Sequence, residues 1–294
     1  METLPQPGSP ANDPRAVPTR QWAQRVRNWA ARLEPGLICA WLVIGLVLLW
    51  AFMPWLFTSY SATVGIPVQK LKPPTALHWF GTDALGRDLY ARIVYGSVHS
   101  LLGAVIAVAV GLVLGTFLGL VSGSVGGPVD DALMRIVDVL LAVPALLLSL
   151  CVVILLGFGT VNAAIAVGVG SIAAFARLVR SEVLRVRRSE YVEAAFGSGG
   201  TFGAVLWRHV LPNSLTSALA LAALQLSHAI LAISTLGFLG FGAPPPTPEW
   251  GLLISEGRNY ISTSWWLTTV PGVVVVVVVL SANRISRAFG KDVG

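Results

Sequence analysis

Six stretches of about 20 predominantly apolar residues run through this chain of 294 residues. A helix needs about 20 apolar residues to cross a hydrocarbon core of about 30 Å. Lipid offers the backbone no hydrogen-bond partners, so each stretch is predicted to be a helix, including the valine run at 273–280. The predicted spans are Leu37–Phe57, Leu101–Val121, Leu133–Leu156, Ala163–Val179, Ser214–Leu239 and Trp265–Ala282.

The composition agrees with a membrane protein. The chain is 55% hydrophobic and 12% charged, with a mean hydropathy of +0.74, whereas soluble domains carry about 25% charged residues. Both cysteines, Cys39 and Cys151, fall inside apolar stretches, so they are interpreted as small hydrophobic residues and not as a disulfide. The predicted fold class is an all-α polytopic membrane protein with six transmembrane helices.

The distribution of lysine and arginine predicts the orientation. With the N-terminus inside, five of the 20 basic residues lie outside and the other 15 lie in cytoplasmic segments. The positive-inside rule therefore predicts a multi-pass protein of the cytoplasmic membrane with both termini in the cytoplasm. The net charge of +6 is then a topology signal, and no nucleic-acid partner is expected.

The spans divide the chain into segments with different environments. Residues 1–36 are a predicted cytoplasmic tail, in which four apolar residues recur at helical spacing and predict a helix lying on membrane lipid: Trp22, Val26, Trp29 and Leu33. Residues 37–57 are the first transmembrane helix, 58–97 an extracytoplasmic segment, 98–287 a core with a cytoplasmic loop at 180–212, and 288–294 a cytoplasmic C-terminus. A signal peptide is not expected, because the basic region is too long.

The sequence lacks the motifs of common catalytic and metal sites. It has no GxxxxGK[ST], HExxH or GxSxG, and its four histidines show no metal-ligand spacing. Carboxylates are nearly absent from the spans; Asp138 lies one turn from Arg135, which favours a local ion pair. We therefore expect no catalytic residue, metal or cofactor. An ion-coupled carrier is disfavoured, because such carriers usually keep carboxylates within the membrane.

The segment EYVEAAFGSGGTFGAVLWRHVLPN at 190–213 interrupts the apolar sequence with charges and glycines. Its composition predicts a short helix from Ser189 to Ala195, a redirection at Gly199, and a proline in the first turn of the next helix. The spacing EAA-x3-G-x9-HVLP resembles the EAA loop of ABC importer permeases. The resemblance implies contact with an ATPase for Glu190, Glu193, Ala194, Ala195, Gly199, Leu211 and Pro212; the alternative is an ordinary solvated loop.

Further stretches resemble the permeases of dipeptide, oligopeptide and nickel importers. HWFGTDALGRDLYARIVYGSVHSL (78–101) is similar to the GTDxxGRD segment of that branch, and VDDALMRIVDVLLAVPALLL (129–148) and LGFLGFGAPPPTPEWGLLISEGRNYI (236–261) also fit its pattern. The extra first helix is typical of the second permease subunit. One departure is Phe196-Gly197-Ser198 between EAA and its glycine, which makes this loop more pliable than is usual in the family.

The resemblance, which covers about residues 78–287, implies a binding-protein-dependent ABC importer (type I) permease fold. It implies a second homologous permease subunit, two cytoplasmic ABC ATPase subunits and an extracytoplasmic solute-binding protein as partners. The implied function is to form the translocation path for peptides. Nickel chelates, glutathione or opines remain alternative solutes, and a self-sufficient secondary carrier is the alternative mechanism.

Three groups of polar or small residues have two interpretations each. The polar stripe of the fifth span (Gln225, His228 and Thr235) either lines the path or bonds neighbouring helices. The GxxxG repeat of Gly111, Gly115 and Gly119 packs either within the subunit or against another permease. The extracytoplasmic motif either braces an amphipathic helix at Asp88–Ser97, which is favoured, or contacts solute: Gly81, Thr82, Asp83, Gly86, Arg87 and Asp88.

The predicted orientation is testable by single cysteines introduced at Thr75, Thr247 and Ser198 after replacement of the two native cysteines. The first two are expected to react with an impermeant thiol reagent outside intact cells, and the third is expected to react only after the cells are opened. Labelling of Ser198→Cys in intact cells would contradict the orientation.

Overall fold

The computed structural model describes residues 35–292, all of whose regular structure is helical. The interfacial helix predicted around Trp22 to Leu33 lies outside the described residues. The α-helices are α1 (Pro35–Phe52), α2 (Leu89–Val125), α3 (Gly127–Ala142), α4 (Ala145–Leu156), α5 (Thr160–Arg187), α6 (Glu190–Gly197), α7 (Phe202–Val205), α8 (Leu211–Phe238), α9 (Trp250–Gly257) and α10 (Trp266–Asp292). Short 3₁₀ turns stand at Pro54–Leu56, Pro67–Gln69 and Arg258–Tyr260, and a π turn at Leu206–Val210 joins α7 to α8.

Five of the predicted spans are single helices long and apolar enough to cross a membrane. The prediction of one straight helix at Leu133–Leu156 is wrong, because α3 and α4 meet at an angle of 98°. The break lies at Val143 and Pro144: proline disfavours helical geometry in the residue before it, and Val143 has extended ψ of 130°. The third span is therefore a bent pair.

The second span begins twelve residues earlier than predicted. No separate surface helix exists at Asp88–Ser97; these residues cap and form the first turns of α2, whose 37 residues are about 55 Å long. Arg92 lies in these first turns, and its side chain is 1% exposed. It makes ion pairs with carboxylates of other segments, so its charge is compatible with a packed helix.

Asp138 makes a different ion pair from the predicted one. Its carboxylate accepts a hydrogen bond of 2.7 Å from Arg177 of α5 and does not pair with Arg135. Both side chains are more than half exposed, so the pair contributes at most about 1 kcal/mol to stability.

The glycine repeat of α2 packs within this subunit, against α5. A Cβ atom added at Gly115 would lie 2.4 Å from Cβ of Phe175 and 2.6 Å from the carbonyl oxygen of Ile172. Gly119 meets the carbonyl of Ala176 in the same way, at 2.5 Å. These glycines therefore bring the backbones of α2 and α5 into direct contact, and this is the most extensive helix contact in the described chain.

The main apolar core lies between α2, α5, α8, α9 and α10, with α1 on the outside of the bundle. α1 buries Ala40, Val47 and Trp50 and leaves Leu42 68% exposed, as expected for a helix that faces lipid. A second apolar cluster joins the C-terminal ends of α2 and α5 to α6, α7 and α8.

Gly115→Val is expected to separate α2 from α5, because the backbone atoms near Gly115 cannot move aside. We expect the yield of folded protein in detergent and its thermal-unfolding midpoint to fall, as judged by size-exclusion chromatography and a melting assay. Gly45→Val, the same change in α1 where a Cβ meets no atom within 4 Å, is the control and is expected to behave like the wild type. Equal stability of both variants would contradict the assigned contact.

Candidate functional site: coupling segment, cavity and extracytoplasmic motif

The EAA segment folds as two short helices joined by a glycine turn. Glu190 and Glu193 lie in the first turn of α6, as predicted, and Gly199 ends the helix with φ of +89°. The amide of Gly199 donates to the carbonyl of Phe196 and that of Gly200 to Ala195, both at 3.0 Å. This is the Schellman arrangement, in which the left-handed position favours glycine.

The chain beyond the glycine turn forms one continuous helical rod. Thr201 caps α7, and the π turn then carries the helix into α8. The amide of Leu211 donates to the carbonyl of Leu206, five residues back, and Pro212 is the second residue of α8. Pro212 thus lies in the first turn of α8 as predicted, and the π turn before it is a feature that the sequence pattern did not indicate.

Buried valines attach the segment to the membrane helices. Val192 of α6 and Val205 of α7 are at most 2% exposed and belong to the cluster that contains Val183 of α5. Arg187, the last residue of α5, donates to the carbonyls of Gly123 and Ser124 at the end of α2, at 2.9 and 2.6 Å. The attachment is therefore to α2 and α5 together.

The opposite surface of the segment is free within the described chain. Glu193, Ala194 and Pro212 are exposed, Ala195 and Leu211 are half-buried, and the nearby aromatic rings of Tyr191, Phe196, Phe202 and Trp207 are 40–68% exposed. An exposed carboxylate surrounded by exposed rings, on a helix whose other face is buried, is suited to binding a protein.

A cavity of about 440 Å³ lies between α2, α4, α5 and α8. Gln225, His228 and Thr235 all line it, so the structure brings the predicted polar stripe together on one wall. The side chains of the other walls are mainly small or apolar, including Ala107, Ala145 and Val167, and two serines add hydroxyl groups. None of the cavity-lining residues is Asp, Glu, Lys or Arg.

The polar groups of the stripe bond within their own helix. Oε1 of Gln225 lies 3.1 Å from Nδ1 of His228, and the hydroxyl of Thr235 donates to the carbonyl of Leu231 at 2.8 Å. Among the described residues these side chains make no hydrogen bond to another helix. This favours the interpretation that they line a path over the interpretation that they join helices.

The extracytoplasmic motif is a buried loop. Gly81 and Gly86 have φ near +78°, and a Cβ on Gly86 would meet the carbonyl oxygen of Ile66 at 2.0 Å. The hydroxyl of Thr82 accepts from the amide of Lys72 at 2.9 Å. Asp88 caps α2 by accepting from the amide of Ala91 at 2.7 Å. The motif's four polar side chains are at most 5% exposed, which favours a structural role over solute contact. The helix that they brace is the start of α2 and not the predicted surface helix.

Four charged side chains join this loop to the α9 region. Asp83 accepts from Nε of Arg87 at 2.6 Å and from Nη1 of Arg92 at 2.9 Å. Both arginines also donate to Glu256 of α9. The roles of Arg92 and Glu256 could not be predicted from the sequence, because their pairing spans 164 residues and no local pattern connects them.

The carboxylate of Glu249 was also not predicted to be functional. It is fully buried and accepts from the amides of Gly251 and Leu252, at 2.9 and 3.0 Å, and from the hydroxyl of Ser100 at 3.3 Å. Burial raises the pKa of this carboxyl, although the three hydrogen bonds act to lower it. Glu249 thus connects the start of α9 to α2. Glutamate is not a preferred capping residue, so no local pattern indicated this role.

No three His, Cys, Asp or Glu side chains within residues 35–292 are placed to hold a metal ion. Two of the helices that line the cavity, α5 and α8, are also the helices that the exposed segment connects, on the predicted cytoplasmic side.

Known permease proteins are similar to this chain in sequence. The permease DppC of a dipeptide transport system from Alkalihalophilus pseudofirmus is 37% identical over 96% of this chain and 92% of its own. The probable D,D-dipeptide permease DdpC of Escherichia coli K12 is 38% identical over 87% of this chain and 86% of its own. The glutathione permease GsiD of Salmonella typhimurium is 39% identical over 91% of this chain and 87% of its own.

Solved structures agree on the fold. The MetNI methionine ABC transporter, in an inward-facing conformation, has a chain that aligns with a TM-score of 0.54 at 19% identity, covering 67% of this chain and 95% of that one. A chain of an amino acid ABC transporter aligns with a TM-score of 0.53 at 15% identity, covering 69% and 94%. Residues 111–294 match the family described as binding-protein-dependent transport system inner membrane component. The chain belongs to that family and is a multi-pass, non-catalytic permease subunit of an ABC importer.

Proposed function

We propose that this subunit forms, with a second homologous permease, the path by which di- or oligopeptides enter across the cytoplasmic membrane. One observation carries the proposal: the exposed segment between α5 and α8 is continuous with the two helices that provide Ser171, Gln225 and His228 to the cavity wall. A force applied to that segment therefore acts directly on the wall of the cavity.

Membership of the family implies ATPase and binding-protein partners. In our proposal two cytoplasmic ABC ATPase subunits hold the segment at 180–212, and an extracytoplasmic solute-binding protein delivers the solute to the opposite side. Closure of the ATPases on ATP moves α6 and α7, and α5 and α8 follow. The cavity then alternates between the two sides, driven by contacts that differ between the two states. Both termini are cytoplasmic in this arrangement.

Peptides are the favoured solute because the compared relatives are named as dipeptide and glutathione permeases. The cavity lining is consistent with this choice: hydroxyl, amide and imidazole groups form hydrogen bonds with a peptide, and no carboxylate, lysine or arginine of the lining selects one side-chain charge. Nickel chelates and opines remain possible cargoes of the same path. A self-sufficient ion-coupled carrier is disfavoured, since the cavity-lining residues include no carboxylate.

Charge reversal of the exposed carboxylate tests the coupling role. A charge-assisted contact contributes about 1.5–3 kcal/mol, so Glu193→Lys is expected to weaken retention of the ATPase on tagged permease roughly ten- to hundredfold and to abolish uptake. Gly199→Val is expected to have a similar effect, because φ of +89° is unfavourable for valine and the segment would be redirected.

Gly197→Val is the matched control, since Gly197 lies nearby with an ordinary helical backbone and open space around it. It is expected to insert like the wild type and to keep more ATPase than Gly199→Val. Uptake at the wild-type level in both Glu193→Lys and Gly199→Val would make residues 190–212 an ordinary loop and refute the coupling role.

Removal of the polar stripe tests the path. Gln225→Leu combined with His228→Leu is expected to lower uptake or change the preferred peptide, by roughly threefold for each hydrogen bond to solute that is lost. Complex yield is expected to stay normal, because the two side chains bond only each other among the described residues. Thr216→Leu, an exposed polar position of α8 outside the cavity, is the control. Reduced yield with unchanged transport per complex would assign the stripe to packing instead.

A further inference from the structure

A second pocket, of about 170 Å³, opens beside the outer end of α1 and is walled by aromatic rings. Phe57, Tyr60, Trp79 and Tyr90 line it together with the carboxylate of Asp88. Neither the translocation path nor the coupling segment includes these four rings.

Neighbouring rings hold the wall in place. The ring centroids of Trp79 and Tyr90 are 5.2 Å apart, and Tyr90 also meets Trp50 and Phe80 edge-on at 6.1 and 5.4 Å. Tyr60 packs on the imidazole of His78 at 5.0 Å. Rings fixed in this way present their electron-rich faces without the cost of ordering them, and such faces attract organic cations.

The carboxylate adds negative charge to the same pocket. Asp88 is 4% exposed and accepts from Nδ1 of His78 at 2.8 Å, in addition to capping α2. Arg87 and Arg92 pair with Asp83 and Glu256. Among the ion pairs of the described residues, the partner of Asp88 is His78, and no lysine or arginine pairs with it. A buried carboxylate beside aromatic faces is chemically suited to an ammonium group.

The position of the pocket relates it to lipid. Phe57 follows the end of α1 by five residues, and Trp50 in the last turn of α1 supports Tyr90. Leu77 and Trp79 at the mouth are 60% and 64% exposed, and exposed tryptophans at the end of a membrane helix mark the level of lipid headgroups. The hydroxyl-bearing residues Thr58 and Ser59 also line the pocket and offer donors to a phosphate.

We propose that this pocket binds the ammonium group of a phosphatidylethanolamine headgroup from the outer leaflet. The rings and Asp88 hold the ammonium, and Thr58 and Ser59 face the phosphodiester. The proposal rests on the extracytoplasmic placement of residues 58–97 and is independent of which solute the importer carries. The amino terminus of a free peptide shares the same chemistry and is the alternative source of the cation.

The test measures phospholipid retained by the purified importer complex in nanodiscs of phosphatidylglycerol with or without phosphatidylethanolamine, by native mass spectrometry. The wild type is expected to retain phosphatidylethanolamine selectively. Trp79→Leu and Asp88→Asn are each expected to weaken that retention roughly fivefold or more. Asparagine still caps α2, and Trp79 is largely exposed, so both variants are expected to fold; the thermal-unfolding midpoint checks this.

Trp55→Leu is the matched control, because Trp55 is another exposed tryptophan, 68% exposed, that does not line the pocket. It is expected to retain phosphatidylethanolamine like the wild type. Equal losses in Trp55→Leu and Trp79→Leu would overturn the site in favour of general anchoring by interfacial tryptophans. Retention unaffected by Trp79→Leu and Asp88→Asn would overturn it as well.

A second arm distinguishes the two sources of the ammonium group. Glycylglycine and N-acetyl-glycylglycine are titrated calorimetrically into the complex in nanodiscs that contain phosphatidylglycerol alone. The lipid proposal expects no heat that depends on Trp79. Binding of glycylglycine that is lost on N-acetylation and in Trp79→Leu would replace the lipid with a free amine.

Discussion

Glycines along one face of α2 allow its backbone to contact that of α5. The contacts at both ends of the subunit depend on the packing of these two helices. At the N-terminal end of α2, Arg92 joins the ion-pair group with Asp83 and Glu256. At the C-terminal ends of both helices, Arg187 of α5 binds the last carbonyls of α2. Between these ends both helices supply wall residues to the cavity. A side chain at Gly115 or Gly119 would disturb all three regions at once.

The parts of the fold that depend on local composition could be predicted from the sequence. Length and hydropathy identified five helices as single spans, because lipid leaves the backbone no other choice. The remaining predicted span is broken at Pro144. The dipeptide Val143-Pro144 indicates such a break, but it lies within a long apolar stretch that favoured a single helix. The partner of Asp138 was predicted wrongly and the role of Arg92 was not predicted, for a different reason. Arg177 and Glu256 are distant from them in sequence, and only the folded arrangement of helices brings these charges together.

The candidate sites divide in the same way. The turn at Gly199 and the common face of Gln225, His228 and Thr235 follow from helical periodicity and glycine stereochemistry, so the sequence was sufficient for both. The opposite walls of the cavity come from α2, α4 and α5, and no pattern within one helix specifies them. Glu249 and the aromatic pocket beside Asp88 depend on contacts between the loops and the ends of several helices, which is why they emerged only from the structure.

The length of α2 has a mechanical consequence. At about 55 Å it extends well beyond a hydrocarbon core of about 30 Å, and no proline lies within its 37 residues. An unbroken helix of this kind acts as a lever. A tilt of about 5° about one end displaces the other by about 5 Å, close to one helical turn. A displacement at one end of α2 therefore reaches the other end without a chain of side-chain rearrangements, because the unbroken helix carries it.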